Sequence, residues 1–221
     1  MRTRLYIAST DALRDEKRFA RLAETIPPAR RKKLGAYRHE GARLLSLAAS
    51  LLLARALSDA GIRSNEIAVT EYGKPYLPRY TDFRFSLSHS GNMALCAVSP
   101  EEIGCDIELP RRYDPRLARR FFHPAEQEWL FSRPEPEQPD AFFRLWTCKE
   151  SFVKAIGLGL SQPLDSFAVI PGETVRLTQT ADARPWRIRS FREGESFLAL
   201  CGLAGVEDAP LTRVEFGEAE P

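Results

Sequence analysis

Apolar residues recur along the chain at two spacings, and the switch between them marks out the elements. A short apolar stretch at residues 1–8 reads as a strand. Leu13, Phe19, Leu22 and Ile26 then keep helical spacing as far as Pro27-Pro28, which predicts a helix over 11–26. Residues 44–57 form the most apolar run. Arg43 and Arg55 keep it short of a bilayer span and Gly61 stands in a C-terminal capping place, so a buried helix is predicted over 43–60. Ile67-Ala68-Val69 suits a strand, and Tyr72-Gly73-Lys74-Pro75 a turn that projects one lysine.

From Phe83 the period becomes two. Phe83, Phe85, Leu87 and His89 share one face, and Ser86 and Ser88 take the other. Ser90-Gly91-Asn92 closes a hairpin onto Met93, Leu95 and Ala97. Ser99-Pro100 turns again into Ile103-Gly104-Cys105-Asp106-Ile107-Glu108, which predicts a three-stranded antiparallel meander. Helical spacing returns over 117–131, broken at His123-Pro124, and again over 141–156, ended by Gly157. Residues 132–140 form a proline- and glutamate-rich loop between them. Residues 167–170, 186–188 and 197–200 are further strand candidates, and the tail after Val206 reads as irregular.

Each half thus offers a long apolar helix followed by about three strands. The expected fold is α+β: a repeat of two similar lobes, residues 1–102 and 103–221, each a small, mainly antiparallel sheet packed on a long helix.

Composition narrows the function only a little. A net charge of +2 over 221 residues gives no footprint for nucleic acid, although Arg30-Arg31-Lys32-Lys33 and Arg111-Arg112 are local basic clusters suited to a phosphate-rich ligand or an acidic partner. The four cysteines make no CxxC pair, so neither a disulfide framework nor a Cys/His zinc site is expected. No signal peptide or membrane segment is read, which gives the expectation of a reduced, cytoplasmic protein. There is no Walker A sequence and no GxGxxG after a strand.

Candidate chemistry concentrates at two places. Asp106 and Glu108, two apart on one strand, point to the same side, and like charges that close stay ionised only with a cation between them. Gly104 on that face leaves room for a ligand to approach the backbone. An oxygen-only donor set suits Mg²⁺, with Glu150 of the helix over 141–156 as a third donor. On that helix Leu145, Phe152 and Ile156 form an apolar stripe, Trp146, Glu150 and Lys154 stack beside it, and Lys149 falls inside the stripe, where a solvated lysine does not belong. Taken singly, the D-x-E pair reads as solvated edge carboxylates and Glu150–Lys154 as a surface i,i+4 pair. Acids to hold a metal beside lysines to neutralise phosphate are what phosphoryl-type transfer requires. The cysteines read as small buried fillers.

Gly104-Cys105-Asp106-Ile107-Glu108 followed by Trp146-Thr147-Cys148-Lys149-Glu150-Ser151-Phe152-Val153-Lys154 resembles the paired signature of the Sfp-type 4′-phosphopantetheinyl transferases. Gly73-Lys74-Pro75, Phe85-Ser86-Leu87-Ser88-His89-Ser90 and Pro163-Leu164-Asp165-Ser166-Phe167 are similar as well. The resemblance is close from Tyr72 to Phe167. It implies a monomeric pseudo-dimer with coenzyme A and Mg²⁺ in the cleft between the lobes, and transfer of 4′-phosphopantetheine to a serine of an acidic acyl or peptidyl carrier protein, releasing adenosine 3′,5′-bisphosphate. It implies Asp106, Glu108 and Glu150 as Mg²⁺ ligands, with Glu150 or a metal-held water as base, and Lys154 against the pyrophosphate. Lys74, Ser88, His89, Arg30 and Lys33 would contact the nucleotide and its 3′-phosphate, with Arg43 and Ser46 competing for a further place there. The region from Gly157 onward would meet the carrier. A Mg²⁺-dependent phosphoesterase using the same acids and a carrier-binding module with a degenerate site are the rival readings.

Overall fold

A computed structural model describes residues 1–64 and 66–217 of the chain. In chain order its elements are β1 (Arg4–Ser9), α1 (Glu16–Thr25), α2 (Pro28–Gly35), α3 (Glu40–Asp59), β2 (Ala68–Val69), β3 (Pro75–Tyr76), β4 (Arg84–Ser90), β5 (Met93–Ser99) and β6 (Ile103–Glu108). There follow α4 (Pro115–Phe121), α5 (Pro124–Phe131), α6 (Gln138–Ile156), β7 (Ala168–Ile170), β8 (Arg176–Thr178), β9 (Arg187–Glu193), β10 (Ser196–Gly202) and β11 (Leu211–Arg213).

Two sheets pack face to face between two long helices, making four layers. Helix α3 lies on a sheet of order β11-β1-β5-β4, and α6 lies on a second sheet of order β6-β10-β9. Alternation along the strands supplies both faces. In β5, Ala94, Cys96 and Val98 join Leu47, Leu52 and Leu53 of α3 in one core. Leu95 and Ala97 point the other way, with Leu5 and Ile7, onto Ile103, Cys105 and Ile107 of β6 and Leu198 and Leu200 of β10. Beneath α6, Cys148, Phe152 and Ala155 pack on Val169, Ile188, Ala199 and Cys201. Helix α3 is long and apolar enough to cross a membrane by composition, but nine of its residues are buried against this core.

The chain departs from the sequence reading in identifiable ways. The helix expected over 11–26 is a 3₁₀ turn (Asp11–Arg14) followed by α1, because Asp15 accepts a 2.7 Å bond from the Arg18 amide and starts a new helix there. Pro28 does not simply end that helix; it occupies the first turn of α2, where its missing N–H costs nothing. The expected meander is a hairpin only. β4 and β5 pair, but β6 pairs with β10 in the other sheet. Five of its six residues are buried, one face of the strand against the first sheet and the other under α6. The tail is not irregular throughout: β11 adds to β1 in parallel, returning the last part of the chain to the first sheet.

Candidate active site

The two sheets meet where β4 runs beside β6, and the join is made by serine side chains. Ser86 Oγ accepts the Cys105 amide at 3.0 Å, Ser88 Oγ donates to Asp106 Oδ1 at 2.7 Å, and Ser90 Oγ donates to Glu108 Oε2 at 2.7 Å while accepting the Leu109 amide. The period-two pattern of β4 therefore hands a hydroxyl to each step of the acidic strand. That placement fixes both carboxylates of the D-x-E pair from one side.

Helix α6 covers them from the other. A Cβ on Gly104 would sit 2.1 Å from the Ser151 carbonyl oxygen and 2.3 Å from the Ala155 amide nitrogen. The room that Gly104 leaves is therefore filled by the backbone of α6; the expected ligand approach does not occur at that position. The close approach places Lys154 Nζ 2.7 Å from Asp106 Oδ1 and 3.0 Å from Ser88 Oγ. Asp106 is 5% exposed, and its Oδ2 is buried without a hydrogen-bond partner. Leaving such an atom unmatched costs about 1–3 kcal/mol, so it marks a place built for a donor or a cation.

The three acids feel one another. Burial, then the nearby Asp106 charge, raises the Glu150 carboxyl above the ordinary glutamate range, with Glu108 adding to the effect. Glu108 is raised by burial and by Asp106, against the bond from Ser90. Lys154 is held above its usual value: burial works against its charge, but Asp106 outweighs it and Glu150 adds to the pull. Repelling carboxylates whose balance rests on one ammonium are a donor set that suits a hard divalent ion. Among the described residues no three such side chains converge to metal-holding distance, and Lys154 takes the Asp106 oxygen instead.

Glu150 and Lys154 form one wall of a cavity of about 630 Å³, within the usual range for a small-molecule site. Gly73, Lys74 and Pro75 line a second side, Phe85, Ser86 and Leu87 a third, and Arg120, Phe121 and the segment from Gly157 to Asp165 the remainder. The predicted turn lysine does not project freely. Its ammonium bonds to Glu102 and to the Ala155 carbonyl at the end of α6, and burial lowers its pKa despite Glu102. Its side chain packs against Gly157, whose φ of +76° ends α6 in the left-handed region.

The remaining expected residues are distributed less tightly. Ser88 is committed to Asp106 and Lys154, and His89 is exposed at the far end of β4. Arg30 lines a separate hollow of about 610 Å³ beside α3, and Lys33 is exposed on α2. Arg43 lines another hollow, near Tyr37 and Arg38, with its guanidinium over the Phe19 ring, and Ser46 lines neither that hollow nor the larger cavity.

Sequence reasoning missed Glu126 and Glu102. Glu126 is paired with Lys149, the lysine out of place in the apolar stripe. The signal was there in His123-Pro-Ala-Glu126, a capping-box spacing at the start of α5. Glu102 follows the β5–β6 turn and pairs with both Lys74 and Arg84; nothing in its spacing marks it out.

Crowded acids balanced by one lysine at the edge of a cavity suit a ligand that carries phosphate and a divalent ion. The chain belongs to the 4′-phosphopantetheinyl transferase superfamily, whose family description matches residues 102–201. It is 36% identical over 190 residues to a 4′-phosphopantetheinyl transferase of Bacillus subtilis, covering 82% of this chain and 84% of that one. The 4′-phosphopantetheinyl transferase Sfp of Bacillus subtilis strain 168 is 37% identical, with 67% and 68% covered. HetI, a 4′-phosphopantetheinyl transferase of a Nostoc species, is 40% identical, with 60% and 58% covered.

Proposed function

We propose that the protein transfers 4′-phosphopantetheine from coenzyme A to a serine hydroxyl of an apo acyl or peptidyl carrier protein, releasing adenosine 3′,5′-bisphosphate. The observation that carries this reading is the junction of cavity and acids: Glu150 and Lys154 open onto a hollow large enough for an extended nucleotide ester, backed by Asp106 with one oxygen unmatched.

In this reading the acceptor hydroxyl attacks the β-phosphorus, and the bond from that phosphorus to the bisphosphate's bridging oxygen breaks. Glu150 takes the hydroxyl proton as attack proceeds, a carboxylate standing in the cavity wall. Lys154 moves from Asp106 toward the phosphate, where negative charge collects on the leaving bisphosphate. Asp106, Glu108 and Glu150 would hold Mg²⁺, which when bound would supply charge neutralisation of the pyrophosphate. Ser88 and Ser90 keep the first two of these acids in place. Gly73 and Lys74 would border the nucleotide in this cavity, whereas His89, Arg30 and Lys33 do not line it.

Arg120 of α4 lines the cavity, as does the exposed Leu160 on the segment after Gly157, and Arg116 and Arg119 are exposed on the same helix. They suit an acidic carrier, whose docking a basic rim accelerates. The protein works as a cytoplasmic monomer, built as a pseudo-dimer of lobes 1–102 and 103–221. Supporting that repeat, β1-β5-β4 and β6-β10-β9 have the same strand order, each beneath one long helix.

The direct test is to incubate the protein with coenzyme A, Mg²⁺ and an apo carrier protein and to weigh the carrier. A gain of one phosphopantetheine is expected. Hydrolysed coenzyme A beside an unmodified carrier would mean a phosphoesterase, and intact coenzyme A a binding module.

A further inference from the structure

Glu126 and Lys149 have no exposed surface at all, and neither lines the cavity. The Lys149 ammonium donates to Glu126 Oε1 at 2.6 Å, to Oε2 at 2.8 Å and to the Phe167 carbonyl at 2.9 Å. Glu126 Oε1 also accepts the Val169 amide at 2.6 Å, and Oε2 the His123 amide at 2.9 Å. Every proton of the ammonium and every lone-pair direction of the carboxylate is thereby used. A buried ion pair is tolerated when its groups are this fully matched, whereas removal of one partner strands a charge.

The groups joined by this pair belong to the flanks of the cavity. Phe167 ends the segment that leaves α6 at Gly157 and contributes Leu160, Gln162 and Leu164 to the lining. His123 stands two residues beyond Phe121 of α4, which with Arg120 lines the cavity too. Lys149 itself precedes Glu150, projecting about 100° around the helix from it. The two flanks and the residue that takes the proton are therefore referenced to a single buried point. Each flank carries one exposed apolar side chain, Leu160 at 106% and Leu117 at 41% relative exposure.

We propose that the Glu126–Lys149 pair is a positioning device for the acceptor side of the reaction. It sets the separation of the 157–167 segment and the end of α4 on either side of Glu150, so that the docked carrier presents its serine within reach of that carboxylate. This rests on the transferase reading above. Neither residue touches substrate; both act through the walls they hold.

The test uses the full chain, coenzyme A and an apo carrier protein. The double variant Glu126→Gln/Lys149→Met removes both charges and leaves no lone ion behind. It is expected to raise the KM for the carrier, or lower kcat, at least tenfold, while the KM for coenzyme A stays within twofold. Equal changes in the two KM values, or no change in kcat and in either KM, would overturn the proposal. If the double variant does not fold, the wild-type background decides. All four native cysteines are buried, so spin labels on Leu117→Cys and Leu160→Cys report the separation of the flanks. One narrow distance, unchanged by coenzyme A, is expected, and a broad distribution refutes a fixed separation. A wild type that leaves the carrier's mass unaltered would defeat the transferase reading, and the spin-label distance would still judge the anchor.

Discussion

The two helix-and-sheet halves share a plan and differ in charge. Each long helix borders a hollow through residues at the same offsets: Ser50, Leu53, Ala54 and Leu57 on α3, and Glu150, Val153, Lys154 and Gly157 on α6. The hollows are of similar size, about 610 and 630 Å³. Only the second has a carboxylate and an ammonium projecting from its helix, and only there does a neighbouring strand supply further acids. On the side facing its helix β6 carries Asp106 and Glu108, where β1 turns Tyr6 and Ala8 to α3. A cavity follows from packing a helix on a twisted sheet; chemistry requires charges that the sheet holds close enough to perturb one another.

The sharpest way to break that comparison is to remove the charge and keep the hollow. Glu150→Gln preserves shape and half-buried packing, and turnover should fall by about 10³-fold if the carboxylate takes the serine proton. The rate of carrier mass gain measures it, with circular dichroism confirming the fold. Near-normal turnover would remove Glu150 from both the base and the metal-ligand roles.

Next in size is the contact that lets α6 reach β6. Gly104→Ala places a methyl 2.1 Å from the Ser151 carbonyl, and the neighbour is backbone, which cannot swing aside. Overpacking of this kind should cost about 3 kcal/mol, read as a lowered urea midpoint at unchanged m-value. Turnover should fall as well, since Lys154 would be displaced from Asp106. Loss of stability without loss of turnover would show that the Lys154–Asp106 contact is incidental.

Those two residues illustrate what the sequence could and could not disclose. Glu150 and Lys154 were legible because helical spacing alone stacks positions four apart, and the cavity wall follows directly. Gly104 was legible as a close approach but not as to what approaches, since that depends on β6 leaving the hairpin for the other sheet. The serine ladder was half visible: alternation placed Ser86 and Ser88 on one face of β4, while the partner strand lay beyond any local pattern. Lys149 announced itself by sitting in an apolar stripe, yet its partner is 23 positions away, a separation only the fold can close. Arg30 and Lys33 fit the charge pattern, but α2 sets Arg30 by a different hollow from the one Lys154 lines and leaves Lys33 exposed.

A smaller effect should appear in the pH dependence of stability with divalent ions chelated. The folded protein raises Glu150 above its ordinary 4.5 through burial and the charge of Asp106. Between that value and the raised one, the folded state keeps a proton the unfolded chain has lost, so rising pH disfavours the fold. Below 4.5 both states are protonated and the group contributes nothing. Glu150→Gln carries no such penalty. Its melting temperature relative to wild type should therefore climb as pH rises through the raised pKa and then level off. A difference that is flat with pH, or that shrinks as pH rises, would mean that the acids are too far apart or too well solvated to repel.

The smallest effect belongs to the α3 side, and its smallness is the point. Ala54 is exposed at the rim of the first hollow, in the position that Lys154 holds on α6 by offset. Ala54→Lys adds a charge to a solvated helix face, where propensity costs only a few tenths of a kcal/mol. Melting temperature should move by about 1 °C, and kcat/KM for coenzyme A and carrier should stay within twofold. Among the described residues the strands under α3 turn Tyr6, Ala8, Ala94, Cys96 and Val98 to that core, and none of these brings a carboxylate to draw the ammonium inward. A tenfold change in either constant would mean that the hollow beside α3 takes part in substrate binding through Arg30. The division of labour between the two halves would then be one of ligand parts, with both hollows in use.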